Sequence, residues 1–129
     1  MRRSEIKVLV VDDDDLVRLV LTAFLEDEGY TPLEAATGEE GLGLAADPGV
    51  RVAVVDLGMP GMDGAAFILE AHRRNPDLRF VIHSGSGRYT LSQALREIGL
   101  TPEQVFPKPI QDLGAFSQTL RKLIEPEDV

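Results

Sequence analysis

Four aspartates in a row, Asp12 to Asp15, follow the apolar run Val8–Val11, and another, Asp56, follows the apolar run Val52–Val55. Carboxylates brought close together raise one another's pKa values unless a cation is shared between them. Hard oxygen donors at an open site suit Mg2+, which keeps several waters and readily takes a phosphate oxygen as a further ligand. Two more polar residues stand behind apolar runs: Ser84 after Phe80–Ile82 and His83, and Lys108 after Val105, Phe106 and Pro107. A hydroxyl and an ammonium beside three carboxylates and a divalent ion can neutralise the charge spread over a transferring phosphoryl group. Taken singly, each signal is ordinary. An aspartate after a strand is commonly a cap, and a lysine before proline is commonly a solvated charge. The weight lies in their joint placement.

That placement depends on the elements that carry them. Lys7–Val11, Val50–Val55 and Phe80–Ile82 are short, nearly continuous apolar runs, the pattern of strands covered on both faces. Tyr30–Ala35 and Val105–Phe106 also predict strands, but Pro32 and Pro107 assign them to sheet edges, because proline cannot donate to a ladder. Between the strands lie helical patterns. Leu16, Leu19, Val20, Ala23 and Phe24 recur on one helical face, and the helix is expected to stop near Glu28-Gly29. Thr37-Gly38-Glu39-Glu40 reads as a capping box, and Asp47-Pro48-Gly49 as the end of that helix. Asp63 caps a helix over 64–74. Thr90 with Gln93 opens another, with Leu91, Ala94, Leu95 and Ile98 as its stripe. Leu113, Phe116, Leu120 and Leu123 mark the last. Five βα units in succession predict a doubly wound α/β sandwich of the flavodoxin-like class, with a parallel sheet in the order 2-1-3-4-5. In such a sheet, sites form at the carboxyl ends of the strands, which is where the five polar residues stand. Asp14 and Asp15 fall where the first helix begins and are read as caps, at ~0.3–1 kcal/mol each.

Composition narrows the function. The 129 residues suit a single domain with a core over about 5–124 and a polar tail at 125–129. There is no cysteine, so no disulfide, thiolate metal site or cysteine nucleophile is available. No run approaches the ~20 apolar residues of a membrane span, and no signal-peptide core follows the basic start, so membrane insertion is not expected and a cytoplasmic protein is. With 13 basic and 22 acidic residues the net charge is −9, which opposes direct nucleic acid binding.

With the constellation in view, the whole chain resembles the receiver domain of two-component response regulators. The resemblance is carried by VLVVDDD with Asp12 and Asp13, VVDLGMPGMDG with Asp56, VIHSGSG with Ser84 and FPKP with Lys108. It implies that Asp56 accepts a phosphoryl group from a phosphohistidine of a histidine kinase or histidine phosphotransfer protein. Mg2+ would be held by Asp13, Asp56 and the backbone carbonyl of Gly58, with Asp12 acting directly or through water. Lys108 and Ser84 would contact the phosphoryl oxygens, and the Lys108–Pro109 bond is often cis in this family. A partner, either an output protein or an output domain outside this chain, would read the phosphorylated state. No turnover of a separate substrate is expected.

Several positions depart from the family pattern. The position three before the lysine, commonly aromatic, holds Val105. Phe106 follows, but neighbouring strand residues face opposite ways. Switching is therefore expected to run through the Ser84 loop and the helix after it. Thr101, Pro102 and Gln104 predict an extra helical turn before the last strand. Gly58 and Ser86 occupy positions that commonly tune dephosphorylation. His83 reads as a packed, hydrogen-bonded histidine and His72 as a helix-surface residue. Two other readings compete. A pseudo-receiver would bind a partner without phosphorylation. A Mg2+-dependent aspartyl phosphohydrolase of the haloacid-dehalogenase-like kind would want an aspartate where Gly58 stands.

Overall fold

The apolar runs pair side by side in the computed structural model, which describes residues 2–85 and 91–124. The strands are β1 (Lys7–Val11), β2 (Thr31–Ala35), β3 (Val50–Val55), β4 (Arg79–Ser84) and β5 (Val105–Pro107). The helices are α1 (Asp15–Asp27), α2 (Gly38–Ala45), α3 (Gly64–Arg74), α4 (Gln93–Glu97) and α5 (Leu113–Ile124). All pairings are parallel and the order is β2-β1-β3-β4-β5, so both proline-bearing strands are edges. Gly29, at φ +95°, turns the chain from α1 into β2 in a conformation glycine adopts without strain.

Successive residues on a strand point to opposite faces, and here both faces are covered. Leu9, Val11, Ala53, Val55, Phe80 and Ile82 pack with Leu42, Phe67, Ile68 and Leu95 of α2, α3 and α4. Val8, Val10, Val52, Val54 and Val81 pack with Leu21, Leu25, Phe116 and Leu120 of α1 and α5. Each such Val, Leu, Ile or Phe side chain stabilises the fold by roughly 1.5–3 kcal/mol when fully buried.

Helix α1 is rotated relative to its expected orientation. Its buried residues are Leu21, Thr22 and Leu25, while Leu16, Leu19 and Val20 are 67%, 62% and 58% exposed. The helix is apolar around more than half its circumference, so its period does not choose which side meets the sheet.

The caps agree with expectation at α2 and α3, where Thr37 accepts from the Glu40 amide (3.0 Å) and Asp63 from the Ala66 amide (2.8 Å). The Glu40 carboxylate reaches the amide of Ala36 rather than that of Thr37. Ser92 caps the short α4 by accepting from the Leu95 amide, and the expected Thr90 cap lies outside the described residues, as do Ser86 and the 125–129 tail. The predicted extra turn forms as a single 3-10 turn over Pro102–Gln104. Buried Gln104 donates there to the Phe80 carbonyl (2.8 Å) and ties the turn to β4.

Candidate functional site

The backbone brings the carboxylates together before any side chain acts. The Asp12 amide donates to the Ala35 carbonyl (3.0 Å) and the Asp56 amide to the Val11 carbonyl (2.9 Å), so Asp12 and Asp56 emerge from adjacent strand ends. Both are buried and Asp13 is exposed, and carboxylate oxygens of the three lie within 4.8 Å of one another. The Lys108 amide donates to the Ser84 carbonyl (2.9 Å), extending the β4–β5 ladder past Pro107. The lysine side chain then turns to the rim, with Nζ 2.8 Å from Asp12 Oδ2 and 3.2 Å from Asp56 Oδ2. The Lys108–Pro109 peptide is cis. Ser84 is buried as the last residue of β4.

Each buried carboxylate is held at both oxygens. Asp12 Oδ1 accepts from the Asp14 amide (2.9 Å), and Asp56 Oδ1 from the Gly58 amide (3.0 Å). Burial nevertheless pushes the Asp12 carboxyl above the usual carboxylate range. Lys108 and the Asp14 amide pull it down, and the charge of Asp56 adds to the rise. Burial works against the Lys108 charge too, but its contacts with Asp12 and Asp56 outweigh it and hold the ammonium above its ordinary value. The contact with Asp12 is mainly one of charge, since no donor is aligned as a hydrogen bond on Oδ2. Among the described residues one ammonium, paired with Asp12 and Asp56, stands at a cluster of three carboxylates. That shortage of positive charge, in a set of hard oxygen donors, fits a divalent cation such as Mg2+.

A pattern characteristic of the response regulator receiver domain matches residues 8–121. This chain belongs to the response regulator receiver domain family. It is 34% identical over 124 residues to the sensor kinase CckA of Brucella abortus, covering 94% of this chain but only 13% of that protein. It is 32% identical over 116 residues to the probable chemotaxis protein CheY of Rhizobium etli, covering 87% of this chain and 89% of that protein. The solved structure of chemotaxis protein CheY4 of Vibrio cholerae superposes with a TM-score of 0.79 at 26% identity, covering 92% and 98% of the two chains.

Of the receiver residues predicted from sequence, Asp12, Asp13, Asp56 and Lys108 converge on one site, and Ser84 ends the strand beside them. Gly58 contributes its amide to Asp56. Of the other two aspartates, Asp14 is the cap, accepting from the Leu16 and Val17 amides (2.9 and 3.2 Å). Asp15 is not a cap and instead pairs with Arg18 from the first turn. His83 is packed as expected, but among the described residues neither ring nitrogen has a hydrogen-bond partner. Burial, helped by the charge of Lys108 and opposed by that of Asp56, lowers its pKa to about 4. Val105 packs with the α2–α4 side while Phe106 stacks edge-on to Phe116 (5.4 Å) on the other, as the strand alternation predicted.

Two residues went unforeseen. Gly64 begins α3 so close to the Asp56 turn that a Cβ would lie 2.3 Å from the Asp56 carbonyl oxygen. Its signals were its place after the Asp63 cap and at the end of VVDLGMPGMDG, neither of which showed this contact. Arg18 reaches from α1 to the Asp12 carbonyl (2.5 Å), and only its i,i+3 spacing from Asp15 was visible beforehand.

Beside the site runs an apolar groove of about 410 Å3, lined by Leu16, Val20, Phe24, His83, Ile110 and Leu113 and reaching Lys108. Among the described residues no helix is long and apolar enough to cross a membrane.

Proposed function

We propose that Asp56 is the phosphoacceptor of a cytoplasmic two-component pathway. The observation that carries this reading is Lys108 Nζ bridging Asp12 and Asp56 beside Asp13, at the carboxyl ends of adjacent parallel strands. An Asp56 carboxylate oxygen attacks the phosphorus of a phosphohistidine. The P–N bond breaks, the imidazole leaves with that electron pair and takes up a proton, and an acyl phosphate remains on Asp56. Asp12, Asp13, Asp56 and the Gly58 carbonyl would hold Mg2+, which supplies charge neutralisation to the phosphoryl oxygens when bound. Lys108 already stands where one phosphoryl oxygen would arrive, and Ser84 offers its hydroxyl from the next strand end.

The donor is a histidine kinase or histidine phosphotransfer protein, and it approaches across the exposed Leu16, Leu19 and Val20 of α1. The acyl phosphate adds charge and strong acceptors. Ser84 and Lys108 follow them, and an output protein or domain reads the change. Chemistry at Asp56 is self-phosphorylation and its reversal, with no turnover of a separate substrate.

Intact mass after incubation with acetyl phosphate tests the reading. One phosphoryl group that requires Mg2+ and is absent in Asp56→Asn is expected. An unlabelled wild type, beside a labelled control receiver, would point instead to a module that binds its partner without phosphorylation.

A further inference from the structure

The three carboxylates are not anchored alike. Asp12 and Asp56 each have one oxygen on a backbone amide and the other against Lys108. Asp13 is exposed, and among the described residues no hydrogen bond holds its side chain. Where its carboxylate stands is therefore set by its backbone, and first by the peptide joining it to Asp12.

That peptide has its own clamp. Arg18, with only 13% of its side chain exposed, donates through Nη1 to the Asp12 carbonyl at 2.5 Å. Its Nε donates to Glu34 Oε1 at 3.2 Å, and Nη2 pairs with Asp15. The guanidinium thus ties the ends of β1 and β2 to the first turns of α1. A planar fork with fixed donor directions can orient a carbonyl in a way a single ammonium cannot.

We propose that Arg18 is a positioning residue for the metal site: by fixing the Asp12–Asp13 peptide plane it holds the Asp13 carboxylate within reach of Asp12 and Asp56. The inference rests on the magnesium site proposed above. Geometry and charge predict opposite results here. Asp15 and Glu34 neutralise the guanidinium, so removing it would leave two more uncompensated carboxylates near the rim and, on charge alone, draw Mg2+ in more strongly. Loss of the clamp does the reverse. Partners that orient metal ligands typically contribute 10–100-fold to metal affinity, so a loss on the order of 10-fold is expected.

The test is Mg2+ titration by calorimetry on the wild type, Arg18→Gln, Arg18→Lys and Asp13→Asn, with urea unfolding of each in EDTA. Both Arg18 variants should unfold cooperatively yet bind Mg2+ on the order of 10-fold more weakly, lysine failing to rescue because it lacks the fork. Equal or tighter binding by either Arg18 variant would overturn the proposal and leave Arg18 a residue of stability or charge only. If Arg18→Gln does not fold, the lysine variant decides alone. A wild type that binds no Mg2+, or an Asp13→Asn that binds as well as wild type, would bring down the metal reading itself and this inference with it.

Discussion

Two lysine–aspartate pairs sit at opposite ends of the sheet, and they behave in opposite ways. At the amino end, Lys7 Nζ meets Asp47 Oδ2 at 2.6 Å with both side chains about a third exposed. The lysine, with the Gly49 amide, holds the Asp47 carboxyl below its ordinary range. At the carboxyl end, Lys108 meets Asp12 at a similar distance, yet the Asp12 carboxyl is pushed up. The Asp12 side chain is only 2% exposed, so desolvation outweighs the same partner charge, and Asp56 competes for that one lysine. The first pair is a satisfied surface contact. The second is a deficit of positive charge held in place by the fold, and that deficit is what lets one end of the sheet take a cation and a phosphoryl group.

The sharpest way to break this comparison is with a single methyl group at each end. A Cβ at Gly64 would meet backbone atoms of Asp56 and Leu57 at 2.3 and 2.7 Å, whereas one at Gly49 meets Asp47 and Lys7 side-chain atoms at 3.2 Å. Gly64→Ala is expected to lower unfolding stability by about 3 kcal/mol and to impair labelling of Asp56, while Gly49→Ala changes little, as measured by urea denaturation. Equal effects would mean that the site end is no more constrained than the other.

Next in size is a pair of neutralisations with opposite signs. A carboxyl whose folded pKa is raised binds its proton more tightly when folded, so its ionisation costs stability as pH rises above the unfolded value of 3.8. Without Mg2+ at neutral pH, Asp12→Asn should therefore stabilise the protein by on the order of 1 kcal/mol. Asp47, with its lowered pKa, contributes stability that is present at neutral pH and lost on acidification, so Asp47→Asn should destabilise slightly. Mg2+ should narrow the advantage of Asp12→Asn by binding the wild type. Shifts of the same sign in thermal melts would refute the contrast.

The smallest effect concerns His83, buried on the α1–α5 side near Lys108 and Asp56. The unfolded chain takes up a proton near pH 6.5, and the folded one resists until about pH 4, so stability falls as pH drops through that window. Between pH 7 and 6 the loss is about 0.7 kcal/mol. His83→Leu should remove that slope in urea titrations at the two pH values, and an unchanged slope would assign it to other groups.

Much of this was legible in the residues. Lys7–Val11 and Val50–Val55 announced buried strands, because both faces of a parallel sheet exclude water and no alternation is required. Pro32 and Pro107 placed the edges, since a missing N–H cannot sit in a central ladder. Asp63 and Thr37 marked helix starts through local hydrogen bonds that need no distant partner. The motifs around Asp12, Asp13, Asp56, Ser84 and Lys108 carried the family, and with it the site.

Other features depend on how separate elements meet, and local pattern does not encode that. The α1 period fitted an apolar stripe at Leu16, Leu19 and Val20, but the sheet took Leu21 and Leu25 instead, leaving the stripe beside the site. Asp12 and Asp47 are the same residue facing the same partner type, and depth of burial, with the charge of Asp56 added, separates their pKa directions. Arg18 bonds to a carbonyl six positions back and a carboxylate sixteen ahead, a contact that exists only once β1, β2 and α1 are packed. Composition and spacing thus determined which elements form and which groups stand at their ends. Only the tertiary structure decided which faces are dry, which charges are short of partners and which backbone is clamped, because desolvation and orientation belong to packed elements and not to any one segment.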